Sequence, residues 1–84
     1  MTRGEIREAV LAVLGEIAPE ADLAGLAPDV DFRDQLEIDS MDLLNFAIGV
    51  HERTGVEIPE ADYPRLSSLD ACIAYLAVKL GTPQ

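Results

Sequence analysis

Three stretches of this chain repeat apolar residues at helical spacing, and each is bracketed by residues that start or stop a helix. That pattern restricts the possible folds more than any other feature. In the first stretch Ile6, Ala9, Val10, Val13, Leu14 and Ile17 recur behind Thr2 and Glu5, which read as a capping box, and Pro19 closes the segment. The second opens at Ser40, with Asp39 as N-cap and Asp42 in the first turn, and runs to Thr54, where Gly55 takes the C′ position. In the third, Leu69, Cys72, Ile73, Leu76, Ala77 and Leu80 form one stripe, with Ser67 and Asp70 as its capping box, Lys79 in the last turn and Gly81 as the stop. The expected fold is all-α, one domain over residues 1–84 with three main helices.

Between the first two helices, from Ala18 to Ile38, periodicity is lost. Pro19, Gly25 and Pro28 punctuate a loop that is long for so small a domain. Leu23, Leu26, Val30, Phe32 and Leu36 give it enough apolar surface to pack across the bundle. Its second half is acidic: Asp29, Asp31, Asp34, Glu37, Asp39 and Asp42 face only Arg33. A calcium loop starting at Asp29 is excluded, because its sixth position is Asp34 rather than glycine and its twelfth is Ser40 rather than Glu. No metal site is expected. After the second helix, Glu57-Ile58-Pro59-Glu60 reads as extended, Ala61 to Leu66 as a brief helical turn, and Thr82-Pro83-Gln84 as a frayed tail.

Charge narrows the partners. Sixteen acids against six bases give a formal charge of −10, which excludes nucleic acid and disfavours anionic membranes. A basic protein surface is the natural complement. The longest apolar run, Ala9 to Leu14, is far shorter than the roughly 20 residues a membrane span needs. Met-Thr-Arg-Gly-Glu has no signal-peptide core, and one cysteine, Cys72, fits a reducing compartment, so the cytoplasm is expected.

At 100° per residue, the second helix carries two apolar stripes. Leu43, Phe46, Ala47 and Val50 form a core face, while Asp42, Gly49 and Arg53 fall on an arc expected to see water. Met41, Leu44 and Ile48 lie beside Ser40, with Asn45, His51 and Glu52 as their rim. The loop, through Phe32 or Leu36, could cover this second stripe; otherwise it is a docking surface. Ser40 itself lacks the base a nucleophile needs. The one histidine, His51, stands 11 residues further on, roughly 16 Å along the axis at 1.5 Å per residue. The residues therefore point to no self-contained enzyme. They leave open a modified serine, an ordinary polar residue at a helix start, or a non-catalytic acidic adaptor that binds a basic partner.

Asp39-Ser40-Met41, opening a helix after a long acidic loop, resembles the prosthetic-group site of acyl carrier proteins. Gly55-Val56-Glu57-Ile58-Pro59-Glu60 is similar to the segment that closes the same helix in that family, and Phe32, Leu36, Leu43, Phe46 and Val50 fall at its core positions. The resemblance implies a four-helix bundle with a short third helix and a long loop between the first two. It implies 4′-phosphopantetheine on Ser40, added by a separate phosphopantetheinyl transferase, with Asp39 helping to position that enzyme's metal. It also implies docking through Met41, Asp42, Leu44, Asn45, Ile48 and Glu52 to acyl-loading, condensing or other acyl-transfer enzymes with basic patches, the carrier acting as a monomer. Acyl thioesters of fatty-acid, polyketide or specialised lipid synthesis are the implied cargo. An aminoacyl or peptidyl carrier is the alternative, but Glu37-Ile38-Asp39-Ser40 lacks the Gly-Gly-x-Ser usual there. Glu37 stands where the family usually has Gly, and Met41 where it usually has Leu; Asn45, Gly49, His51 and Arg53 dilute the second helix's acidity.

Overall fold

In the computed structural model, which describes residues 1–82, Thr2 starts α1 (Arg3–Ile17) with a reciprocal capping box. The Thr2 hydroxyl accepts the Glu5 N–H at 3.1 Å, and the Glu5 carboxylate accepts the Thr2 N–H at 2.9 Å. That second bond, the larger cause, and the hydroxyl contact hold the Glu5 carboxyl below its ordinary range. The helix ends at Ala18, where Pro19 disfavours further helical geometry. Ile6, Val10, Val13 and Leu14 are its buried face.

The loop that follows is held by its own polar side chains. Asp22 caps a 3₁₀ turn (Leu23–Gly25), and Asp31 caps a one-turn helix, α2 (Phe32–Gln35), that periodicity does not reveal. Gln35 staples the loop: its amide oxygen accepts from Ala27 N–H, and its amide nitrogen donates to the carbonyls of Ala27 and Val30. Two backbone bonds then fasten it across the bundle, Phe32 N–H to Ser67 at 2.8 Å and Asp70 N–H to Pro28 at 2.9 Å. The loop does pack across the helices, through Leu23, Leu26 and Leu36, with Phe32 fully buried. Val30 is the exception and is exposed.

α3 (Ser40–Thr54) and α4 (Leu69–Lys79) complete the bundle, α1 packing against both. The link between them contains the expected brief helical turn as a 3₁₀ segment (Glu60–Leu66), with Pro64 inside it and Leu66 buried. The residues described are all helix, turn or irregular, with four α-helices and two 3₁₀ segments, and the short element stands third among the larger ones as expected. Ser68, not Ser67, caps α4, accepting the Ala71 N–H at 3.1 Å. Placing the cap one residue later lets Leu69 enter the core at the first turn, where it is 1% exposed. Gly55 (φ 74°) and Gly81 (φ 66°) adopt the left-handed backbone that ends α3 and α4. Thr82 is bonded rather than frayed: its N–H donates to Ala77 and its hydroxyl to the Met1 carbonyl. Pro83 and Gln84 lie outside the described residues.

The core joins all four helices. Phe32 meets Phe46 edge-on, centroids 5.5 Å apart at 72°, and Val50, Leu69, Leu76 and Tyr75 belong to the same buried cluster. Burying each large apolar side chain contributes about 1.5–3 kcal/mol. The helical wheel errs at Gly49. It is not turned to water but faces α1, where an added Cβ would lie 2.7 Å from Val13 Cγ1. A wheel ranks side chains by polarity, so it cannot see that an absent side chain is what allows two helices to approach. Beyond this crossing, Arg53 pairs with Glu16 between the same helices.

Gly49→Ala is therefore expected to destabilise the protein by about 1–2 kcal/mol in urea unfolding. Overpacking costs about 1–3 kcal/mol and outweighs the gain of up to ~1 kcal/mol in helix propensity. Val13→Ala combined with Gly49→Ala is expected to cost less than the two single changes added together.

Candidate functional site

The start of α3 is built by two aspartates. Asp39 Oδ1 accepts the Asp42 N–H at 2.9 Å, and Asp42 Oδ2 accepts the Asp39 N–H at 3.2 Å. Asp39 thus does the capping, and Ser40 becomes the first helical residue. The consequence is chemical. Ser40 is exposed, and its hydroxyl makes no hydrogen bond among the described residues. It stands where unpaired backbone N–H groups and the helix dipole favour an anion.

One side of Ser40 opens onto a cleft of about 570 Å³. Leu43, Phe46 and Ala47 of α3 form one wall, and Tyr63, Pro64 and Leu66 of the 3₁₀ segment form the other. Arg33 of α2 lines the same cleft and is its only cation. The 3₁₀ wall is tied to α4 by the Tyr75 hydroxyl, which donates to Asp62 Oδ2 at 2.6 Å. Lys79 Nζ lies 5.6 Å from the centroid of the Tyr75 ring. These wall residues were not among those the sequence singles out. Pro64 hid them, since it marks a break in α-helix without indicating that a 3₁₀ segment continues through it.

The other side of Ser40 carries the second stripe. Met41 (61% exposed), Leu44 (38%), which also borders the cleft, and Ile48 (45%) stand open, and Phe32 turns inward instead of covering them. Asn45 and Glu52 are exposed at its edge, while Asp42 is half-buried with its carboxylate turned to the Asp39 N–H. His51 is also on the rim but is tied to the far end of the helix: its Nδ1 lies 2.7 Å from the Val56 carbonyl. The one histidine is therefore not bonded to Ser40. The Cys72 thiol is fully buried, and burial pushes its pKa far above the ordinary thiol range. Among the described residues no three His, Cys, Asp or Glu side chains gather as a metal would require, and no helix is long and apolar enough to cross a membrane.

Comparison with known proteins agrees with this arrangement. A family model described as a phosphopantetheine attachment site matches residues 4–76. The acyl carrier protein of Renibacterium salmoninarum is 35% identical over 75 residues, covering 83% of this chain and 90% of that one. A polyketide-8 synthase acyl carrier protein of Streptomyces avermitilis is 30% identical over 81 residues, covering 96% and 87%. A meromycolate extension acyl carrier protein of Mycolicibacterium smegmatis is 30% identical over 73 residues, covering 83% and 74%. In fold, the solved acyl carrier protein of Enterococcus faecalis superposes with a TM-score of 0.76 at 19% identity, covering 94% of this chain and 99% of that one.

The Tyr75 contact makes the cleft wall sensitive to alkali. Burial first, then the hydrogen bond and negative charge of Asp62, push the Tyr75 phenol from 10 up to about 12. Between those values the unfolded chain has lost this proton while the folded protein keeps it, so stability falls as pH rises. Urea titrations from neutral pH upward are expected to show that loss in the wild type. Tyr75→Phe is expected to lack this component and to be about 1 kcal/mol less stable at neutral pH, the net value of one hydrogen bond.

Proposed function

Because the chain belongs to the acyl carrier proteins, a family with a phosphopantetheine attachment site, we propose that Ser40 is the residue that takes the 4′-phosphopantetheine arm. Proteins of this family are carriers and not catalysts, and this chain is a carrier with such an attachment. The observation that supports Ser40 most directly is its hydroxyl on the first turn of α3, uncommitted to capping and not bonded to His51, whose ring is held at the Val56 carbonyl. A transferase must then supply the activation, and we assign Asp39, the residue before Ser40, to that enzyme's metal.

The residues fit the group. Helix N–H groups favour the phosphodiester, and the apolar cleft begins at the same serine. When bound, the arm supplies a terminal thiol that holds acyl groups as thioesters. The chain's own part is to hold that attachment point on a rigid helix and to be recognised. Recognition falls to Met41, Leu44 and Ile48, with Asn45 and Glu52 at their edge and Asp42 at their start. With only Asp42 and Glu52 as acids on α3, apolar contact carries much of the docking to basic partner patches.

The cargo we infer is an acyl group passed between enzymes of a fatty-acid, polyketide or specialised lipid pathway in the cytoplasm, with the carrier acting as a monomer. Relatives named for polyketide and meromycolate synthesis support that range.

Incubation with coenzyme A and a broad-specificity phosphopantetheinyl transferase is expected to add one phosphopantetheine mass to the wild type and none to Ser40→Ala. A wild type that gains no mass under conditions that load another carrier would overturn the reading. Ile48→Asp should leave the fold unchanged, because the side chain is exposed, yet lower kcat/KM for partner enzymes by about tenfold. That factor corresponds to about 1.4 kcal/mol, near the lower end of what burying one such side chain contributes.

A further inference from the structure

Arg33 is an unusual residue for its position. It is the only base between Arg7 and Arg53, in a stretch that also holds Asp29, Asp31, Asp34, Glu37, Asp39 and Asp42. Acids this numerous would be expected to capture a guanidinium, yet none does. Among the described residues the Arg33 side chain makes no ion pair and no hydrogen bond, although its backbone N–H donates to Asp31 Oδ1 at 2.8 Å. The side chain is exposed and lines the cleft that Ser40 opens onto, where the other charged residues are Asp31 and Glu60.

α2 accounts for this placement. Phe32 is buried against Phe46, and its neighbour Arg33 is thereby directed to the cleft mouth. The Asp31 carboxylate is engaged in capping α2, and the carboxylates of Asp39 and Asp42 are engaged in capping α3. Those three carboxylates are each turned to a backbone N–H, and the guanidinium makes no ion pair with them or with Glu60 across the cleft.

Resting on the reading of Ser40 as the attachment point, we propose that Arg33 is a positioning residue for the arm, its guanidinium pairing with the phosphodiester on Ser40. The phosphodiester carries a fixed negative charge and arrives beside Asp39 and Asp42, where it needs a cation. A guanidinium presents a planar set of N–H donors suited to phosphate oxygens. The pairing directs the arm toward the cleft side of α3 and leaves the Met41 stripe clear for a partner.

The test uses the full chain labelled with ¹⁵N, in apo form and after loading with coenzyme A and a transferase, with intact mass confirming the load. The Arg33 Nε–Hε resonance is expected to shift on loading and to move back toward its apo position in about 0.5 M salt, where charge pairs are screened. The ³¹P line of the loaded protein should be broader in the wild type than in Arg33→Gln, with Arg33→Lys between the two. Both variants are at an exposed position, and circular dichroism should match the wild type. An Arg33 resonance unmoved by loading, or identical ³¹P lines in wild type and Arg33→Gln, overturns the proposal. A shift that arises only when a carboxylated acyl group such as malonyl is loaded also overturns it, because the guanidinium would then read the cargo. If no mass is added to the wild type, the reading of Ser40 fails instead, which separates the two claims.

Discussion

The reciprocal hydrogen bonds between Asp39 and Asp42 decide where α3 begins, and through that what Ser40 is free to do. Had the helix started one residue later, the serine would have been its N-cap and its hydroxyl would have been spent on a backbone N–H. With aspartate in that role, the hydroxyl one position on has no structural task. The same bonds fix the orientation of the Asp39 and Asp42 carboxylates, which keep their negative charge while accepting those N–H groups. Charge at the site is arranged rather than merely accumulated.

Holding that end of α3 still requires the rest of the helix to be fixed, and three contacts accomplish it. Phe46 lies edge-on to Phe32, which anchors the long loop. Gly49 lets α1 come close enough for Val13 to fill the space a side chain would have taken. At the C-terminal end the His51 ring and Gly55 turn the chain back toward the core through buried Val56. Phe46 and Gly49 face away from Met41 and Ile48, and only the His51 contact lies at the rim of the exposed stripe. A surface with no structural duty can be reshaped for partners at little cost to stability.

The helices were legible because each is written locally, as periodic apolar residues between a cap and a stop. Thr2, Asp39, Gly55 and Gly81 stand at the boundaries their chemistry predicts. The place of Ser40 as the first helical residue was legible for the same reason, since it depends on its offset from one cap. What the sequence concealed are features that depend on two distant segments meeting. Gly49 looked solvent-facing because nothing in its own helix specifies α1 as its neighbour. The choice of Ser68 over Ser67 as a cap was settled by the burial of Leu69, which is a tertiary effect. α2 has only four residues, too few to display a period, and its existence rests on Asp31, the burial of Phe32 and the bonds of Gln35. The cleft walls, made by a 3₁₀ segment through Pro64, were hidden likewise.

These hidden contacts explain how a short chain can serve two recognitions at one serine. α3 has three faces in use: one against α1 and the loop, one against the 3₁₀ segment across the cleft, and one open to solvent. Ser40 lies at the end where the second and third faces meet. On the proposed attachment at Ser40, the arm has two directions, toward the cleft or across the open stripe, and a difference of about 1.4 kcal/mol between them shifts their populations tenfold. One charged contact on one side is of that order, whereas the helix itself does not have to move. On that reading docking draws on Met41 and Ile48 and retention on Arg33, all exposed, so either can change without disturbing the core that supports both.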